Sequence, residues 1–188
     1  MTALIAGLRA RAIVLAAFVG SIWVVSFAGF AYSPLKNLLG VSPRTLHGFL
    51  GLLTAPWVHA NLPHLLGNTW PLIVMGWLVI LPRQEDFWIA LMGSALCSGS
   101  VAWLFGGSYT VHIGASGVVF GFFGFLVARA FYDRRFVDIL IAVPATAWYG
   151  YSMFFGLLPV YPGVSWQSHV GGALGGVLAA YLAKGKRS

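Results

Sequence analysis

Six apolar stretches, very little charge and a one-sided placement of the basic residues predict an all-α membrane protein, a bundle of six transmembrane helices. Of the 188 residues, 59% are hydrophobic and 8% charged. A soluble domain carries about 25% charged residues, so this chain has too little polar material to clothe a water-facing surface. A helix crosses the ~30 Å hydrocarbon core with roughly 20 apolar residues. Six segments meet that need, at about 12–32, 64–81, 87–105, 114–132, 136–158 and 167–183. Residues 1–188 read as a single polytopic membrane domain, with no room for a second, soluble one. Cys97 is the only cysteine, which excludes an intramolecular disulfide.

The elements follow in order. No small-residue cleavage pattern follows the first segment, which is therefore expected to stay as a span rather than leave as a signal peptide. The 31-residue connection from Ser33 to Pro63 is long for a compact bundle and contains the apolar run "LHGFLGLLTAPWV". That run is costly to leave in water, so the connection is expected to fold back as short helices, partly embedded in the outer leaflet or lying against the bundle. Pro43 and Pro56 bracket too few residues for a seventh span. "PRQED" closes the second segment, "GGSYTVH" the third, "YDRRFVD" separates the fourth from the fifth, and "PVYPGVSWQ" precedes the sixth. Pro71 and Pro144 fall inside spans, where neighbouring helices can satisfy the freed carbonyls.

Charge sets the orientation. With six spans, Arg9, Arg11, Arg83, Arg129, Arg134, Arg135, Lys184, Lys186 and Arg187 fall on one side, and only Lys36 and Arg44 on the other. This positive-inside pattern puts both termini in the cytoplasm. It also accounts for the net charge of +7 without a nucleic-acid partner. The short basic tails and the lack of organelle-targeting features fit a bacterial plasma membrane. Most aromatic residues read as interfacial anchors and lipid-facing bulk.

Polar residues inside spans are costly and usually functional. Here they form three groups: His59, His64 and Asn68 in "HANLPHLLGN", Ser116 in "GASG", and His169 in "SHVGGALGG". Spans two, four and six run in the same direction, so all three groups lie near the outer ends of their helices. Gly117, Gly121 and Gly124 share one face of span four; His169, Gly172 and Gly176 share one face of span six. Small faces let backbones approach closely, and packing these two together brings Ser116 beside His169, with Phe120 one turn below against the imidazole. Ser116 also stands at a helix N-terminus, where free N–H groups and the dipole favour developing negative charge. His64 and Asn68, four residues apart, lie one above the other and can donate toward the same place. A nucleophile, a base and an oxyanion site can all be built here.

The four acids, Glu85, Asp86, Asp133 and Asp138, belong to the cytoplasmic side. None reaches His169, which rules out a Ser-His-Asp triad and leaves a Ser-His dyad. No span contains the paired acids of an aspartyl protease, and "HANLPH" is not a zinc-protease motif. No metal or cofactor is expected. His47 and His112 read as loop residues and Cys97 as a small packing residue.

At these residues the chain resembles the rhomboid intramembrane serine proteases. The match consists of "HANLPHLLGN", then "GASGVVFG", then "HVGGALGG", in that order and topology, over roughly residues 45–183. The resemblance implies Ser116 as nucleophile, His169 as general base, and Gly114 as part of the GxSG motif. It implies His64, Asn68 and the Ser116 N–H as the oxyanion hole, and His59 as a residue that orders the site. It also implies the basic six-span form of the fold. Two departures stand out. Leu50-Gly51 occupies the place of a Trp-Arg pair that braces the first outer loop in many relatives, so bracing must come from elsewhere. Phe120 occupies a position that is often Tyr, which keeps ring stacking on the histidine but loses a phenolic hydrogen bond.

The resulting expectation is a serine endopeptidase that cleaves transmembrane protein substrates near the outer membrane face, with those substrates and membrane lipids as its partners. The alternative is a catalytically silent relative that binds transmembrane clients, although such proteins typically lose the Ser or the His and this chain keeps both. A transporter would need polar residues through the full membrane depth. A serine acyl-transfer enzyme acting on lipid is a third reading, testable with a fluorogenic lipid ester.

Overall fold

The computed structural model describes residues 2–184, without the side chain of residue 3; Lys186 and Arg187, counted above among the cytoplasmic charges, lie outside it. Eight α-helices make up the described chain: α1 (Thr2–Ala31), α2 (Pro34–Leu39), α3 (Gly48–Thr54), α4 (Leu62–Ile80), α5 (Gln84–Phe105), α6 (Ser116–Asp133), α7 (Phe136–Gly156) and α8 (Trp166–Ala183). A 3-10 turn, Ala55–Trp57, follows α3. The six long helices coincide with the six apolar segments. α1 starts earlier than its apolar segment because the preceding Ala, Leu and Arg residues are strong helix formers. The start of α4 is written in "NLPH": Asn61 is its N-cap and accepts from the His64 N–H at 2.9 Å, with Pro63 in the first turn.

Four helices are long and apolar enough to cross a membrane by length and composition, covering Leu4–Ala31, Gln84–Phe105, Ser116–Asp133 and Phe136–Gly156. α4 and α8, at 19 and 18 residues, are as long as α6 but do not meet that criterion. The physical reason is local: these are the helices that carry His64 and Asn68, and Gln167, Ser168 and His169.

The connection between α1 and α4 does form short helices; α3 lies on α5, and α2 packs against α3 and α1. Val41 and His112 exchange backbone hydrogen bonds at 2.9 Å each, pinning the connection to the loop before α6. Arg44 replaces the missing pair as a brace. Its guanidinium donates to the carbonyls of Leu104 at 3.0 Å and Gly106 at 2.8 Å, and to Ser108 Oγ at 3.0 Å. These are carbonyls that the end of α5 leaves unpaired. Trp103 Nε1 donates back to the Thr45 carbonyl at 2.9 Å. A Cβ at Gly99 of α5 would collide with the Leu52 backbone of α3, so the contact is helix on helix.

At the opposite end lies Arg129, counted above only for its side of the membrane, and it is buried. Its side chain is 1% exposed and ion-paired with Asp138 at 2.9 Å and Asp86 at 3.6 Å. Burial without such partners would be prohibitive. Its position thirteen residues along α6 places this cluster about 20 Å below Ser116.

Candidate active site

Ser116 is the first residue of α6, and the loop that presents it is fixed from behind. The Gly114 N–H donates to the Ala55 carbonyl at 3.0 Å. The Ala115 N–H donates to His59 Nε2 at 3.2 Å. An acceptor Nε2 leaves the ring proton on Nδ1, which lies 2.9 Å from Ser26 Oγ; that hydroxyl in turn donates to the Trp57 carbonyl at 3.0 Å. Burial, and then the neighbouring His64, push the His59 pKa down to about 3, so the ring is neutral. Gly114 is required twice over. Its φ of 114° suits only glycine, and a Cβ there would stand 2.8 Å from the His64 imidazole.

His169, in the first turn of α8, meets Ser116 across a seam of glycines. A Cβ at Gly172 would run into the Gly117 carbonyl, and one at Gly176 into that of Gly121, so the two backbones touch. Gly171 and Gly175 form a second small face, on Cys97 and Gly93 of α5. Ser94 and Ser98 of α5 fill the spaces beside Gly121 and Gly117. The outcome is a distance of 2.8 Å between His169 Nε2 and Ser116 Oγ.

The other side of the imidazole is fixed as well. His169 Nδ1 lies 2.7 Å from the Gly156 carbonyl at the end of α7. A carbonyl only accepts, so Nδ1 carries the proton and Nε2 is left free to accept from the serine hydroxyl. The partner of Nδ1 is thus a backbone carbonyl rather than a carboxylate. The Phe120 ring stacks on the imidazole, with centroids 4.0 Å apart and planes 8° from parallel.

Ser116, His169, His64, Asn68 and Gly114 line one cavity of about 850 Å³. Asn68 Nδ2 donates to the His64 carbonyl of its own helix at 2.9 Å, which leaves its second amide hydrogen for other acceptors. His59 lies outside the lining, 5.0 Å ring to ring from His64. Phe120 lies beneath it, and His47 does not reach it.

Two features escaped the sequence reading. His112, read as a loop residue, is half-buried, with Nε2 3.0 Å from Thr110 Oγ1 and Nδ1 2.6 Å from Ser165 Oγ. Ser165 caps α8 and lies 2.7 Å from Ser168 Oγ, so His112 ties the loop before Ser116 to the turn that carries His169. Burial holds its pKa below the usual histidine value. The Ser-x-x-Ser spacing before His169 is a capping signal that could have pointed there. The Gly156 carbonyl had no sequence signal, because every residue has one.

Comparison with known proteins places this geometry. An uncharacterized protein of Mycobacterium tuberculosis is 37% identical over 173 residues, covering 88% of this chain and 72% of that protein. An uncharacterized protein of Mycobacterium leprae is 42% identical over 141 residues, 70% of this chain and 55% of the relative. A chloroplastic rhomboid-like protein of Arabidopsis thaliana is 31% identical over 152 residues, 69% of this chain and 51% of the relative. The family model of the rhomboid domain matches residues 46–186, from the connection before α4 through α8, and the chain is a membrane protein of the rhomboid family.

Proposed function

We propose that this protein is an intramembrane serine endopeptidase in which Ser116 and His169 form a catalytic dyad. The observation that carries the reading is the 2.8 Å contact between Ser116 Oγ and His169 Nε2, with the Nδ1 proton committed to the Gly156 carbonyl. Ser116 Oγ attacks the carbonyl carbon of a substrate peptide bond, and its proton passes to Nε2. The resulting imidazolium is steadied by the Gly156 carbonyl dipole and by the face of Phe120. Negative charge on the substrate oxygen is met by the Ser116 N–H at the start of α6, by His64 and by the free amide hydrogen of Asn68. As the C–N bond breaks, Nε2 returns the proton to the leaving amine. Water then attacks the acyl-serine with His169 again as base, releasing the acid and restoring the hydroxyl.

The substrates in this reading are transmembrane proteins, reached within a plasma membrane that all six long helices cross. Both termini are cytoplasmic, an orientation supported by the placement of Arg9, Arg11, Arg83, Arg134, Arg135 and Lys184. The test is cleavage of a generic transmembrane substrate by the purified protein in detergent, wild type against Ser116→Ala. Cleavage that disappears in an equally folded mutant is the expected result. Equal cleavage by both proteins refutes the dyad, and stable substrate binding without cleavage by wild type moves the chain to the client-binding class.

A further inference from the structure

A second cavity, of about 530 Å³, lies between α6, α7 and α8. Its wall is almost entirely carbon, with Phe123, Val127 and Phe131 on α6, Phe154 on α7 and Val177 on α8. It extends along α6 from Phe120 to Tyr132, about 18 Å at the helical rise. That is a little over half of the ~30 Å hydrocarbon thickness, the depth of one leaflet. The two ends differ in kind. At one end the Phe120 ring stacks on His169. At the other, the two aromatic walls each carry a cation: the Arg134 guanidinium is 6.0 Å from the Phe131 centroid, and Lys184 Nζ is 5.6 Å from that of Tyr132. Among the described residues neither cation is paired with a carboxylate, and both are exposed.

We propose that this groove binds an anionic phospholipid, with one acyl chain lying along α6 as far as Phe120 and the phosphate held by Arg134 and Lys184. The carbon wall suits any acyl chain. The charge at one end selects the headgroup, because each Lys or Arg near a membrane surface favours anionic lipid by about fivefold. The length matches one leaflet, so the headgroup reaches the interface where the two cations stand. The inference depends on the membrane setting of the chain and is independent of the dyad.

Lipid retention tests it directly. The full-length protein in detergent is equilibrated with equal amounts of phosphatidylglycerol and phosphatidylcholine, and bound lipid is read by native mass spectrometry. Wild type is expected to retain phosphatidylglycerol over phosphatidylcholine by roughly thirtyfold, two cations' worth. Arg134→Asn combined with Lys184→Gln should abolish that preference; asparagine accepts the left-handed backbone at position 134, where φ is 51°. Gly150→Leu, which puts a side chain into the groove, should lose both lipids. Equal retention of the two lipids by wild type overturns the proposal. So does a preference that survives the double substitution, or phosphatidylglycerol retained by a folded Gly150→Leu protein. Displacement of phosphatidylglycerol by an added apolar transmembrane peptide assigns the groove to a protein segment, which also overturns it.

Discussion

α6 has two very different neighbours. Toward α8 the helix backbones touch, glycine against carbonyl, with no space left for a Cβ at Gly172 or Gly176. Toward α7 a cavity of about 530 Å³ intervenes, and a Cβ added at Gly150 of α7 would meet no side chain but its own helix's Thr146 within 4 Å. The burial of the two spans follows: more than half of α6 is buried, against less than a quarter of α7. Both contacts nevertheless serve one histidine. The tight seam sets the distance from His169 to Ser116, and the loosely packed helix supplies the carbonyl that fixes the imidazole tautomer. α7 is held at its other end by Asp138 on Arg129. Distance and protonation geometry are therefore held by elements of unequal rigidity, and substitutions on the two sides should fail in different ways.

The largest effect belongs to the seam. In Gly172→Ala the new methyl meets the Gly117 backbone, which cannot rotate aside. Overpacking of this kind costs about 1–3 kcal/mol or more, and a separation of about 1 Å between serine and histidine costs on the order of 10² in rate. A lower Tm in detergent together with lost cleavage is the expected pair of readouts. A mutant with wild-type Tm would mean that the helices are not in backbone contact.

Gly156→Ala is next, and it separates the two contributions. Its Cβ would press on the Phe120 ring, disturbing the stack on His169 while leaving the glycine seam whole. We expect kcat to fall by about tenfold to a hundredfold with Tm almost unchanged. A comparable loss of Tm would show that α7 is as firmly packed as α8.

The loop that presents Ser116 carries a pH signature through His59. Its folded pKa, about 3, lies below the unfolded value of about 6.5. Between these values the unfolded chain binds the extra proton, so stability is complete above pH 6.5 and declines as pH falls toward 3. The slope is at most about 1.4 kcal/mol per pH unit. Protonation also removes the acceptor for the Ala115 N–H, loosening the loop that presents Ser116. Thermal unfolding between pH 7 and 5 should show this decline, and His59→Gln should flatten it. An unchanged slope in that variant would assign the acid sensitivity to another group.

Much of this asymmetry was half-legible in the sequence. The glycine spacing of α6 and α8 marked the seam, because a small face repeated every three or four residues has one principal use in a membrane. The three polar groups, falling at one common end of their helices, marked the site, because polar atoms within spans are too costly to be idle. The second glycine face of α8 was hidden by the first, since "GGALGG" reads the same for one partner as for two. Arg129 looked like a topological charge because its partners, Asp86 and Asp138, are distant in sequence and meet only when α5 and α7 pack on α6. The groove left no trace, because an absent contact has no residue to announce it.

The smallest predicted effect is the most direct check on that absence. Gly150→Ala adds the same methyl as Gly172→Ala, also within a long helix, yet its only contact is Thr146 Cγ2 at 3.4 Å, an ordinary van der Waals distance. With no steric cost, the higher helix propensity of alanine should prevail, raising stability by about 0.5–1 kcal/mol and Tm by a degree or more. The two alanine variants should therefore move Tm in opposite directions. If Gly150→Ala lowers Tm as Gly172→Ala does, α7 closes on α6 in the folded protein, and the lipid groove loses its premise. If Tm rises and cleavage is unaffected, the space beside α7 is open and unused by the dyad, and what fills it becomes a question about the membrane rather than about the bundle.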